Sequence, residues 1–322
     1  MWSRLLSVAA NCFVETIRQP IYGIILLVTA GLLVLNVSIS GYTLDDDNKL
    51  LIDLGLSTLL MSGLFLAAFS AAGVLGREID NKTVLTVISK PVGRPVFLLG
   101  KFGGLAAALA IAIYLSSLVL MLTVRHKVME RTSQDFDMPV ILFGVGALAL
   151  IFLVGGFSNY FYGTQFASVA VGLAVPLMTL AVVLVAFIDP MWKVQSFGKD
   201  FVDGQVIAAV ALVFLVVLVL TAVAVAASTR LGQVMTLAVC TGILVVGLVS
   251  DYFFGTRADE SILARVGYWL APNVGALWVT DAITQGHAVT LSYVGMAGLY
   301  ALAYTCAALG VAVALFQRRE VG

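Results

Sequence analysis

Charge is what this sequence has least of. Of 322 residues only 11% are charged and 61% are hydrophobic, against about 25% and about 45–50% in an ordinary soluble domain. A water-soluble globule is excluded. Lys+Arg 18 balance Asp+Glu 18, and without a basic excess the chain does not read as a nucleic-acid binder. Cysteine is scarce as well. Cys12, Cys240 and Cys306 lie far apart in apolar surroundings with no CxxC or Cys/His spacing, which predicts small packing residues rather than disulfides or metal ligands. His126 and His287 are the only histidines, each alone in a polar connector, and both read as solvated loop residues. No HExxH, GxSxG or catalytic carboxylate pair occurs, which argues against an intramembrane enzyme.

Long apolar runs take the place of charge. A hydrocarbon layer of ~30 Å needs about 20 apolar residues in a helix, because backbone amides in lipid must be hydrogen-bonded within the segment. Eight stretches qualify: Ile21–Ile39, Leu54–Leu75, Val96–Val124, Pro139–Phe157, Phe166–Ile188, Gln205–Ala227, Val234–Ser250 and Tyr293–Phe316. The predicted fold is therefore all-α, a polytopic membrane helix bundle forming one domain over residues 1–322. On the third span Gly104, Ala108, Ala112 and Ser116 stand four apart, a ridge that permits close helix approach.

Ahead of the first span, within residues 1–19, Trp2, Leu5, Leu6, Ala9, Phe13 and Ile17 recur at helical spacing opposite Arg4, Asn11, Glu15 and Arg18. This predicts an amphipathic helix on the bilayer surface that turns into the first span at Pro20. A cleaved signal peptide is the competing reading, but the run Leu5–Ala10 is short for one. Eight spans place both termini on one side. If that side is cytoplasmic, the inner segments hold Arg4, Arg18, Arg77, Lys82, Lys90, Arg94, Lys101, Arg230, Arg318 and Arg319 against Glu15, Glu78, Asp80 and Glu320, a balance of +6, and the outer segments carry −6. The basic residues are densest in short inner segments, as the positive-inside rule requires. The acidic run Asp45–Asp47 then faces outward as a solvated loop, with a calcium site as the minor alternative.

Between the second and third spans the chain reads GREIDNKTVLTVISKPVGRPVFLLGK, Gly76 to Lys101. Asp80 can cap a short helix, Val84, Leu85, Val87 and Ile88 form an apolar face, and Pro91 stops it. Such a helix can lie in a groove of a partner protein, with Glu78, Asp80, Lys82, Lys90, Arg94 and Lys101 as ionic contacts at the rim. A basic juxtamembrane loop that fixes orientation and touches anionic lipid is the plainer reading.

The run resembles the cytoplasmic coupling segment of ABC-2-type exporter permeases. The matching residues are Glu78, Thr83, Val84–Ile88, Pro91–Val92, Arg94 and Leu99–Gly100–Lys101; Lys82 stands where the family usually has Gly. The amphipathic N-terminal helix corresponds to the family's elbow helix. The fourth span running into the Ser-aromatic stretch Gly156–Phe161 also resembles the family. So does the stretch Ile262–Ile283 within the outer loop 251–292, where Tyr268, Trp269, Pro272, Trp278 and Asp281 suit a re-entrant helix at the membrane interface, with a small packed outer cap as the alternative reading. The resemblance implies a coupling helix within 76–95 whose contacts with a separate ABC ATP-binding subunit involve Glu78, Asp80, Thr83, Val84, Leu85, Val87, Ile88, Pro91, Arg94 and Lys101. It also implies assembly as a homodimer or heterodimer of permeases in the plasma (inner) membrane, with both termini cytoplasmic. Eight spans exceed the family's common six, and the hairpin Gln205–Ser250 is the expected addition.

No nucleotide site is expected in the chain itself. The nearest imitation of GxxxxGK[ST] is Gly93–Phe102, with Pro95 and Phe102 at required positions, so ATP would be bound by the partner and no cofactor by this chain. An ion-coupled secondary transporter or channel is the main competitor, and it generally needs ionisable groups within the membrane. The spans are nearly free of them, Asp189, Asp251 and Lys101 lying toward ends. Uncharged spans suggest an amphiphilic, lipid-like substrate. A membrane scaffold that tethers an ATPase without transporting is the remaining alternative.

Overall fold

The computed structural model describes residues 2–41, 47–76, 93–128, 136–199, 201, 204–257 and 261–317. Twelve α-helices are present among them: α1 Trp2–Arg18, α2 Pro20–Ser40, α3 Asp47–Ala71, α4 Arg94–His126, α5 Met138–Tyr162, α6 Phe166–Phe187, α7 Gly204–Ser228, α8 Gln233–Leu248, α9 Ser250–Phe253, α10 Ile262–Leu270, α11 Thr280–Thr284 and α12 Leu291–Gln317. No strand occurs among the described residues beyond one isolated bridge between Ile188 and Val194. This is the all-α polytopic bundle expected. Helices dominate because a chain this apolar has no water in the bilayer to satisfy its backbone.

Seven helices are long and apolar enough to cross a membrane: α2, α3 with its extension to Gly76, α4, α5, α6, α7 and α12. The eighth expected span, Val234–Ser250, is α8, which stops at Leu248 and is followed after a 62° bend by the short segment Ser250–Arg257. Its top is pinned from a distance: a Cβ on Gly247 would lie 2.6 Å from the Pro272 carbonyl and 2.6 Å from Val274, and Val274 N donates to the Gly247 carbonyl at 3.0 Å. The chain nevertheless runs back along the bundle here. The Arg230 guanidinium beyond the end of α7 donates to the Leu315 carbonyl near the end of α12 at 3.0 Å, and Val289 N before α12 donates to Gln205 at the start of α7 at 2.6 Å. Helices α7 and α12 are thus parallel, and the intervening segment must return across the bundle.

Burial sorts the helices into centre and periphery. In α3, 72% of the most apolar stretch is buried, and in α2 only 22%. Helices α3, α4 and α7 form the centre, while α2, α5, α6 and α12 are largely uncovered. The hairpin expected as an addition therefore contributes a central helix. Polar side chains tie the bundle across helices: Tyr22 OH donates to the Ala108 carbonyl at 2.8 Å, Tyr114 and Thr179 share a hydrogen bond of 2.7 Å, and Asn36 donates to Thr58 at 3.2 Å. Each bond spares a polar group from hydrocarbon.

Both described ends of the chain lie at the same end of the bundle. Arg94 at the start of α4 donates to the Gln317 carbonyl at 2.7 Å, and Lys101 about two turns further meets Glu15 of α1. The opposite end gathers Asn48, Arg125, Val128, Asp137 and Ile188. At that end Arg125 Nε lies 3.2 Å from Asp137 Oδ2, both side chains buried. His126, expected as a solvated loop residue, is instead the last residue of α4, half-buried and stacked on Phe136 with centroids 6.1 Å apart; α4 runs past the apolar stretch because Arg125 finds a buried partner.

Candidate functional site at the elbow and the base of the third span

Of the ten residues expected to couple the chain to an ATPase, Glu78, Asp80, Thr83, Val84, Leu85, Val87, Ile88 and Pro91 lie outside the described residues. Arg94 and Lys101 are described, with both flanks of the segment. On the leading side α3 ends in a π-helical turn, Ala72–Gly76, with Val74 and Leu75 fully buried. Such wide turns are uncommon and are often found at functional positions. On the trailing side Gly93 precedes α4 in extended conformation with Pro95 in the first turn, where a missing N–H costs nothing.

Arg94 and Lys101 have different surroundings. Arg94 is partly exposed and bonded to the last residue of α12. Phe97, three residues on, stacks on Phe316 at 6.0 Å. Lys101, by contrast, is only 3% exposed. Its Nζ lies 3.3 Å from Glu15 Oε2 and 5.7 Å from the centroid of the Phe97 ring. As a rim contact for a docking partner Lys101 is thus misplaced: burial between α1 and α4 makes it a joint between the elbow helix and the third span. A charge roughly 10 Å into an apolar helix is tolerated here because a carboxylate is supplied from the neighbouring element.

The joint is close-packed. A Cβ at Gly104 would fall 2.4 Å from the Ala9 carbonyl and 2.6 Å from Cys12 Cβ, and one at Gly100 would meet Val8 at 2.8 Å. The Cys12 thiol donates to the Lys101 carbonyl at 3.2 Å. The small-residue ridge of α4 is therefore filled from within the chain, Gly104 by α1 and Ala108 by Tyr22 of α2. The apolar arc of α1 divides between two environments. Cys12, Thr16 and Ile17 are buried in the protein, while Trp2 is 79% and Leu6 63% exposed, which leaves them for the bilayer. Glu15, read from sequence as part of the polar face, is drawn inward by Lys101.

Neither a protein-family model nor a curated protein matches the chain. The geometry alone describes the site.

At the far end a second constellation holds the segment after α8. Asp251 Oδ1 accepts from Tyr268 OH at 2.9 Å and from Asn273 Nδ2 at 2.8 Å; Tyr300 OH of α12 accepts from Asn273 N at 2.6 Å. The Asp251 carboxylate pushes the Tyr268 phenol above its ordinary range. These bonds lash α10 to the top of α8 and to α12. The outward face of α10 then presents Ile262, Val266, Trp269 and Leu270, a composition suited to the membrane interface. Among the described residues no group of three or more His, Cys, Asp or Glu side chains is placed to hold a metal.

Sequence reasoning missed the Glu15–Lys101 pair and the buried Arg125–Asp137 pair. A signal existed for the first, since a lysine eight residues into an otherwise apolar helix demands a partner. Nothing local names that partner, 86 residues away.

Proposed function

We propose that this chain is the membrane-spanning subunit of an ATP-driven exporter, paired with a second permease copy or a related permease. It would take its energy from a separate ATPase chain that docks at the end of the bundle bearing α1, Arg94 and Gln317. The observation that carries this reading is the joint at Lys101. An amphipathic surface helix is bonded and close-packed onto the base of the third span, the helix that follows in sequence the run whose residue order resembles a coupling helix. Force applied to 77–92 or to α1 would be passed to α4 as a unit, and α4 is a central helix that touches α1, α2, α3, α6 and α7.

Two further features support it. The one stretch that imitates a P-loop, Gly93–Phe102, is helical from Arg94 onward, and a phosphate cradle needs consecutive free backbone amides in a loop. That end of the bundle also carries Arg4, Arg18, Arg94, Lys101 and Arg230 against Glu15 among the described residues, in keeping with a cytoplasmic placement in the plasma membrane. Transport would proceed by rigid shifts of the second and third spans between inward and outward arrangements.

The test is twofold. The purified chain should bring down a soluble P-loop ATPase. In vesicles holding both proteins, Glu78→Ala combined with Arg94→Ala should leave insertion intact and uncouple ATP hydrolysis from transport. Coupled transport at the wild-type rate in that double variant would overturn the site. Transport without any ATPase would point to a secondary transporter, and ATPase binding without transport to a scaffold.

A further inference from the structure

The corner where α1 turns into α2 adjoins two cavities that share residues. One, about 590 Å³, is a side-opening groove between α2, α4, α5 and α6. Its walls are small and apolar at Gly23, Ala30, Ala170 and Ala174, and its lipid-ward lip is formed by Ile24 and Leu27, 58% and 57% exposed. The other, about 430 Å³, lies at the corner and has mostly polar residues in its lining: Asn11, Val14, Glu15, Arg18, Gln19 and Pro20. Arg18 and Pro20 belong to both. The apolar groove therefore ends where the polar one begins, at the level at which an amphipathic surface helix meets a span.

Gln19 shows what the polar part lacks. It is 5% exposed, and its Nε2 has no hydrogen-bond partner. A buried amide donor left unsatisfied is costly, so an acceptor from outside the chain is called for. Arg18 stands beside it at the surface, a guanidinium suited to two oxygens of one phosphate. The one carboxylate in the corner, Glu15, has an oxygen directed to Lys101, which leaves the local balance in favour of an anion.

From this we infer that the corner binds a glycerophospholipid of the adjacent leaflet, its phosphodiester on Arg18 and Gln19 and one acyl chain in the groove between α2 and α6. A soluble anion would leave the groove empty, and a hydrocarbon alone would leave Gln19 unsatisfied; a phospholipid meets both demands. The groove volume falls within the about 300–1,000 Å³ of ordinary ligand sites. The lipid would act as a wedge that sets the angle between the elbow helix and the first span. This site does not depend on the exporter reading.

Native mass spectrometry of the full chain, purified in a phosphate-free maltoside detergent and supplemented with phosphatidylglycerol, provides the test. One phospholipid per chain should survive extensive detergent washing. Arg18→Gln with Gln19→Leu should reduce its retention roughly tenfold, the loss expected when a charged hydrogen-bonded contact is removed. Ala30→Phe and, separately, Ala174→Phe should also displace it, because each fills the groove from a different helix. Glycerol phosphate, which lacks acyl chains, should not compete. Equal retention in all variants would overturn the inference, as would competition by glycerol phosphate or a dimer whose interface closes the groove. Shielding of Cys12 from maleimide, which reports an intact elbow, identifies any variant whose loss of lipid comes from misfolding.

Discussion

At the scale of single residues, the elbow joint turns on hydrogen atoms where side chains would otherwise be. Gly104 lets the backbone of α1 approach so closely that any Cβ would meet the Ala9 carbonyl. Because backbone cannot move aside as a side-chain tip can, Gly104→Leu should lift α1 from α4 rather than merely strain it. With Cys306 replaced by Ser, the wild-type chain should resist maleimide at Cys12, which is 0% exposed, while the Leu variant should label. A Cys12 that stays shielded would show that the elbow is held elsewhere. The network around Asp251 offers a second residue-level test. Tyr268 is raised chiefly by its bond to Asp251. A raised folded value means that the stability this phenol contributes is complete below the ordinary tyrosine value of about 10 and is lost as pH climbs through the raised one. Tyrosinate absorbance of the wild type less that of Tyr268→Phe should show this late titration, and Asp251→Asn should bring it down.

At the scale of elements, the question is whether α1 is a passenger on the bilayer or part of the bundle. The Glu15–Lys101 pair is asymmetric, the side chains being 37% and 4% exposed. Removal of the carboxylate should therefore hurt more than removal of the amine. Glu15→Gln leaves a buried ammonium without its carboxylate and should cost about 1–3 kcal/mol, below the full figure for a completely buried pair because Glu15 keeps contact with solvent. Lys101→Met leaves a carboxylate that can turn to water and should cost less, and the double variant should recover most of the loss. Thermal unfolding of the four proteins in one detergent measures the cycle. Equal costs for the two single variants would mean that the pair does not anchor the helix. Much of this level was legible from residue order. Apolar runs gave the spans, since lipid permits little but helix, and α5 outran its predicted end at Phe157 for a local reason: Ser158 and Asn159, which break the apolar pattern, bond back to Thr164 at 2.7 and 2.6 Å and keep the helix intact to Tyr162. What was not legible depends on remote contacts. Nothing near Gly247 announces that Pro272 and Val274 will stop α8, and nothing near Lys101 names Glu15. Of the two expected coupling residues that are described, both lie at the end of the bundle that carries α1; Arg94 is partly exposed and Lys101 is buried.

At the scale of the whole molecule, topology follows from two hydrogen bonds that join the starts and the ends of α7 and α12. Parallel helices in one chain require an odd number of crossings between them, and the only long helix among the described residues there is α8, 16 residues or about 24 Å at 1.5 Å per residue. That is short for a layer of ~30 Å. The segment Ser250–Arg257 and the lashed helix α10 make up the difference by closing over the end of the bundle away from α1, with Leu277 and Val274 buried at 2% and 1%. This arrangement predicts that Arg230 and Tyr252, which flank α8, face opposite compartments although only 22 residues separate them. In a cysteine-free chain, Arg230→Cys should react with a membrane-impermeant maleimide only after the cell is opened, and Tyr252→Cys, at a residue 75% exposed, should react from outside. Labelling of both from one side would mean that α8 turns back within the layer; α7 and α12 could then not be parallel, and the shared location of the termini, on which the placement of an ATPase partner rests, would fall with it.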